Sequence, residues 1–161
     1  MKEYFNFRTL IVTMCFSGCI FISSFCQSPE KLKMSFDHLA LSVNDINQSV
    51  AFYKDILKLS EIENRTGDPN IRWFSLGDGN ELHLISSFPG NVTVTKAVHM
   101  ALKTSDFDEF ILELNKHNIV YSDWPGNNGK IQIRPDGVRQ IFFQDPDGYW
   151  IEVNEIPRPE E

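Results

Sequence analysis

The chain has 161 residues, 42% hydrophobic and 23% charged, the balance of a globular protein long enough to bury a core. Its formal net charge of −7 argues against nucleic acid as a partner.

The first element is apolar. Lys2 and Arg8 precede residues 9–26, TLIVTMCFSGCIFISSFC, an 18-residue run without a charge. This pattern predicts a secretory signal peptide cleaved near Ser24-Phe25-Cys26, or an uncleaved membrane anchor, and with either an exported protein, periplasmic or secreted. FSGC, ending at Cys19, loosely resembles a lipoprotein box. A buried core helix would not stop abruptly at QSPEKLK. Residues 1–26 are thus a signal or anchor, 27–35 a linker, 36–156 the folded domain and 157–161 a tail. All three cysteines, Cys15, Cys19 and Cys26, fall in the first segment. The domain itself therefore has no disulfide and no thiol nucleophile, and any metal ligands in it must be His, Asp or Glu.

The domain repeats. FDHLALSVNDINQSVAFYKDIL starts at Phe36 and AVHMALKTSDFDEFILELNKHNI at Ala97. An offset of 61 places His38 on His99, Ala40 on Ala101, Leu41 on Leu102 and Asp45 on Asp106. Each copy opens with a short strand, then an aspartate-bearing loop, then an amphipathic helix. The first helix is expected over about Ile46–Leu57, with Val50, Phe52, Tyr53, Ile56 and Leu57 on its apolar face. The second is expected over about Phe107–Lys116, with Phe107, Phe110, Ile111 and Leu114 at helical spacing. Asn44 or Asp45, and Ser105 or Asp106, are the candidate N-caps.

Strands follow each helix: Leu59–Asn64, Arg72–Leu76 and Glu81–Ser86 in the first half, then Val120–Ser122, Lys130–Arg134, Arg139–Gln144 and Tyr149–Asn154 in the second. TGDPN, GDG, PGNNG, RPDG and DPDG supply the turns. DGNELHLIS from Asp78 and DGYWIEVNE from Asp147 align at an offset of 69, which places His83 on Glu152. The fold class is therefore α+β: two βαβββ modules, neither apolar enough to stand alone, forming one pseudo-symmetric open curved sheet.

Strand side chains alternate faces. His38, Ala40 and Ser42 share a face, as do His99 and Ala101. His83 lies opposite Leu82 and Leu84, and Glu152 opposite Ile151 and Val153. Under pseudo-twofold symmetry His38, His83, His99 and Glu152 converge as a first shell for a divalent transition metal, with Zn, Ni, Mn and Fe equally compatible. Glu81 shares the face of His83. It competes with His83 as the ligand, or serves as a partner or a base. His117, the fourth histidine, reads as a solvated helix cap. Lys130, Arg134 and Arg139, in and after the loop beginning WPGNNG, are available to meet an anionic substrate or to form a solvated hairpin. Trp73, Trp124 and Phe143 either line the pocket or belong to the core.

From Phe36 to Glu155 the chain resembles the vicinal oxygen chelate superfamily, which includes glyoxalase I, bleomycin and fosfomycin resistance proteins and extradiol dioxygenases. The carriers are FDHLALSVNDINQSVAFYKDIL and, more specifically, FFQDPDGYWIEV. The resemblance implies paired βαβββ modules around a metal, with the family's opening histidine on His38, its second-half histidine on His99 and its closing glutamate on Glu152. The remaining ligand falls on His83 or Glu81. Three histidines and one glutamate depart from the two-His, two-Glu pattern of glyoxalase I.

The resemblance further implies a metal-dependent enzyme acting on a small vicinal-oxygen substrate. Lyase or isomerase chemistry through an enediolate is expected, of the lactoylglutathione lyase kind, with Glu152 or Glu81 moving the proton. An Fe(II) extradiol dioxygenase and a non-catalytic ligand-binding resistance protein are the alternatives. Many members are homodimers with shared sites. This chain contains both halves, so one chain could supply all four ligands.

Overall fold

The computed structural model of the protein describes residues 33–91 and 93–157. The expected signal or anchor over residues 1–26 and most of the linker and tail lie outside these. Among the described residues no helix is long and apolar enough to cross a membrane.

The element order is the expected duplication. The first module comprises β1 (His38–Ser42), α1 (Ile46–Ala51), β2 (Glu61–Ile62), β3 (Ile71–Gly77) and β4 (Asn80–Ile85). The second comprises β5 (His99–Thr104), α2 (Phe107–Lys116), β6 (Gln132–Ile133), β7 (Arg139–Gln144) and β8 (Trp150–Glu155). The strands form two four-stranded sheets, ordered β1-β4-β3-β2 and β5-β8-β7-β6, rather than one continuous ladder. In each sheet the opening strand is an edge and runs parallel to the closing strand, while the other pairings are antiparallel.

The register bears out the repeat. Ala40 lies opposite His83 in β1–β4, and Ala101 opposite Glu152 in β5–β8. The two offsets read from the sequence therefore describe equivalent positions in two equivalent ladders.

Local sequence accounts for the helices. Asp45 caps α1, its Oδ1 accepting from Asn47 N at 2.9 Å and Gln48 N at 3.1 Å. The chain then widens into a π-helical turn over Phe52–Ile56, closed by Leu57 N donating to Phe52 O. The expected single helix to Leu57 is thus interrupted. The wider turn buries Phe52, Tyr53 and Ile56 together. The second helix has the predicted bounds, acidic residues in its first turn, Lys116 in its last, and Asn118 at φ 55 just beyond. Expected strands at Leu59–Asn64 and Lys130–Arg134 shrink to the two residues of β2 and of β6, outer strands with one neighbour each. Val120–Ser122 is reduced to isolated bridges through Ser122.

One core serves both modules. Leu41, Phe74, Leu82 and Leu84 from the first sheet meet Ile141, Phe143, Ile151 and Val153 from the second, with Phe52, Tyr53, Phe107 and Leu114 supplied by the helical segments. Phe143 therefore belongs to the core, 1% exposed. Truncating any of the fully buried leucines to Ala costs about 2–5 kcal/mol by transfer and cavity terms.

The turn at Asp145–Gly148 locks the modules together. Asp145 Oδ1 accepts from Asp147 N and Tyr149 N, and its Oδ2 accepts from Tyr53 OH at 2.7 Å. Asp147 accepts from Asn44 N, Asn44 Nδ2 and Ser49 Oγ, each at 2.9 Å. Tyr149 OH donates to Ser42 O. Gly148 takes φ 91, which an L side chain rarely adopts. The most specific stretch of the sequence is thus a bolt between the halves.

Burial raises the Asp145 carboxyl above its ordinary range, and the Tyr53 hydrogen bond opposes that rise. Tyr53→Phe leaves this buried carboxylate short of a donor and is expected to cost about 1.5–3 kcal/mol in denaturant unfolding at neutral pH. The bond favours the charged form, so the deficit should be smallest in acid. It should grow as pH rises through the elevated range of Asp145. A deficit independent of pH would show that Asp145 is not the partner that matters.

Candidate metal centre

Strand alternation delivers the expected faces. In the first module the small Ala40 lies beside His83, leaving room for His38 from the same strand to lean over it. The His38 and His83 rings stack with centroids 4.3 Å apart and planes 13° apart. Trp73, cross-strand partner of His83, stacks on His83 at 4.1 Å. The Arg65 guanidinium lies 4.4 Å over Trp73. Glu81 accepts from His83 Nε2 at 2.8 Å and from Arg65 NH2 at 2.9 Å. These hydrogen bonds, that of His83 first, hold its carboxyl below the usual carboxylate range. Asp37 Oδ2 lies 2.6 Å from His38 Nδ1, and that contact holds Asp37 low.

In the second module His99 Nδ1 lies 2.8 Å from Lys96 O. A carbonyl only accepts, so Nδ1 carries a proton and Nε2 is the ring nitrogen that faces the site. That Nε2 is 3.1 Å from Glu152 Oε2. Asn154 Nδ2 donates to the other oxygen of Glu152 at 2.6 Å. Phe142 and Trp124 meet the His99 ring edge-to-face. Lys96 Nζ donates to Ser122 Oγ, Asp123 O and Trp124 O and lies 4.7 Å over Trp150, so one residue orients His99 and pins the loop that carries Trp124. The loop after Trp124 is held by Asp123, which accepts from Gly126 N and Asn127 N.

The structure therefore brings His38 to His83 and Glu81, and His99 to Glu152, as two half-sites. It does not gather the four expected ligands within one chain: among the described residues no group of three or more His, Cys, Asp or Glu side chains is placed to hold a single ion. Each half-site lies at an edge, on β1 with β4 and on β5 with β8. His38 remains 42% exposed at its side chain, whereas Glu152 is 12% exposed.

The donors fit a metal. Ligands bound at about 2.0–2.2 Å and roughly at right angles to one another sit about 3 Å apart, the spacing of His99 Nε2 and Glu152 Oε2. The Nδ1 contact of His38 likewise leaves its Nε2 for an ion.

Other expected residues do different work. Arg139 is not an anion site. It donates to both Asp108 and Glu155 and lies over Phe107, so its guanidinium staples α2 to β7 and β8. Arg134 pairs with Asp136 and reaches Asn154. His117 ends α2 against Glu113. Sequence reasoning missed Lys96 and Asn154. The parity of Asn154 with Glu152 on one strand was the available signal for the latter.

Over residues 35–153 the chain matches the Glyoxalase/Bleomycin resistance protein/Dioxygenase superfamily. It is 31% identical over 122 residues to the uncharacterized protein YwbC of Bacillus subtilis, covering 72% of this chain and 93% of that one. It is 30% identical over 123 residues to the metallothiol transferase FosB of Staphylococcus saprophyticus, covering 74% and 76%. Among solved structures, a glyoxalase/dioxygenase from Nostoc punctiforme superposes with a TM-score of 0.62 at 28% identity, covering 81% of this chain and 96% of that one. Two βαβββ modules, a histidine on each opening strand and a glutamate on the last thus lead to one assignment: the chain belongs to the Glyoxalase/Bleomycin resistance protein/Dioxygenase superfamily.

Proposed function

We propose that the protein is a metal-dependent enzyme of this family, acting on a small substrate with two adjacent oxygens by glyoxalase-type lyase or isomerase chemistry. The observation that carries the proposal is the preset pair His99 Nε2 and Glu152 Oε2, 3.1 Å apart, with the His99 tautomer fixed by Lys96 O. His38 of a second copy completes the set. Among the described residues, edge strands β1 and β5 each keep one side free of ladder partners, and two copies facing each other through those edges make two equivalent sites.

When bound, a divalent metal supplies Lewis-acid polarisation of the two substrate oxygens. The chain does the rest. Trp124 and Phe142, edge-to-face with the His99 ring, wall that side of the half-site and limit water. Glu152 accepts the proton from the carbon beside the substrate carbonyl and returns it to the neighbouring carbon. Asn154 holds one of its oxygens in place while the other faces the site. Glu81 suits this role less: its hydrogen bonds to His83 and Arg65 hold it anionic below the usual carboxylate range, which weakens it as a base.

A second reading, metal-dependent transfer of a thiol, is favoured by the similarity to FosB. Consumption of a thiol co-substrate separates it from isomerisation, and a strict need for oxygen with Fe(II) would mark a dioxygenase. Elemental analysis of protein purified without added metal, followed by a screen of dicarbonyls and thiohemiacetals, tests the proposal. About one divalent ion per chain is expected, with turnover lost on chelation and restored by metal. Unchanged ligand binding in metal-free protein would make it a sequestering module instead.

A further inference from the structure

We infer that His83 is a positioning residue for His38 and not itself a metal ligand, an inference that rests on the metal-dependent reading above. The reason is planar geometry. An imidazole binds a metal through a lone pair in its own ring plane, at about 2.0–2.1 Å. The His38 and His83 planes are 13° apart and stacked at 4.3 Å. An ion in the plane of one ring therefore lies well outside the plane of the other. While stacked, the two cannot share an ion.

His83 is instead the middle of a column. Trp73 lies flat on one face of its ring and His38 on the other. Arg65 covers Trp73, and Glu81 ties Arg65 to His83 Nε2 along the side. Trp73 is 7% exposed and its Nε1–H is buried without an acceptor, so the stack, not a hydrogen bond, keeps the indole there. The column fixes the plane of His38 while Asp37 fixes its tautomer. That matters because His38 sits on an edge strand and is the more exposed of the two rings: 42% at its side chain, against 11% for His83. At the equivalent position of the second module stands Glu152, whose Oε2 lies 3.1 Å from His99 Nε2. The duplicated position has thus diverged, to a ligand in one copy and a spacer in the other.

The test titrates Co²⁺ and Zn²⁺ into the full chain as wild type, His83→Phe and His83→Ala. Affinity and stoichiometry are read by Co²⁺ absorption and calorimetry, and folding by circular dichroism. A spacer is replaced by another flat ring: His83→Phe is expected to hold metal within about 3-fold of wild type and His83→Ala to lose about 10–100-fold, with stoichiometry unchanged. Equal, large losses in both variants would restore His83 as a ligand, and no loss in either would remove it from the site altogether. Should His83→Ala misfold, nitrogen NMR of the wild type decides. On adding Zn²⁺ the ring nitrogens of His38 and His99 should take ligand shifts and those of His83 should not; a ligand shift at His83 overturns the inference. Wild-type protein that binds neither ion would instead defeat the metal-dependent reading, which the variants do not address.

Discussion

Glu152→Gln is expected to lower kcat/KM by about 10²–10⁴ on whichever dicarbonyl or thiohemiacetal the screen identifies, even with metal in excess. Two properties are lost together. The amide has no usable basicity, so the proton has no acceptor, and it is a poorer metal donor than a carboxylate. Gln retains the size of Glu, and its oxygen can still accept from Asn154, so the strand and its packing should survive. Thermal unfolding of the metal-free variant should stay close to that of wild type. Saturating metal separates the two losses: restored occupancy with turnover still absent assigns the proton to Glu152. Full turnover under those conditions would take that role from Glu152.

Much of the fold was legible because the sequence repeats at the level of chemistry. The offsets of 61 and 69 correspond to real register, with Ala40 beside His83 and Ala101 beside Glu152. The bounds of α2 follow from strong periodicity, and those of β7 from the turns RPDG and DPDG on either side of it. The π-helical turn escaped because its apolar residues also satisfy an ordinary helix, and the partners of Phe52 and Tyr53 in the second module, Phe143 and Asp145, lie far along the chain. The outer strands β2 and β6 came out short because each has a single neighbour and turn-rich flanks.

The site was legible in pieces. Alternation put each histidine and glutamate on the proper face, since that depends only on its own strand. Convergence of all four ligands required knowing how one module lies against the other. That relation is set by contacts distant in sequence, Tyr53 with Asp145 and Asn44 with Asp147, which leave no periodic trace. The role of Arg139 was left open for the same reason: its partners Asp108 and Glu155 lie on other elements.

The central claim is that a complete site takes His38 from one copy and His99 with Glu152 from another. Complementation reads it directly. His38→Ala and His99→Ala should each be nearly devoid of tightly bound metal and of turnover. Mixed under conditions that exchange subunits, with exchange verified by differently tagged chains, half the dimers carry one intact site, and metal content and turnover should recover to about a quarter of wild type. A verified mixture as inert as its two components would place all the ligands within one chain and contradict the account.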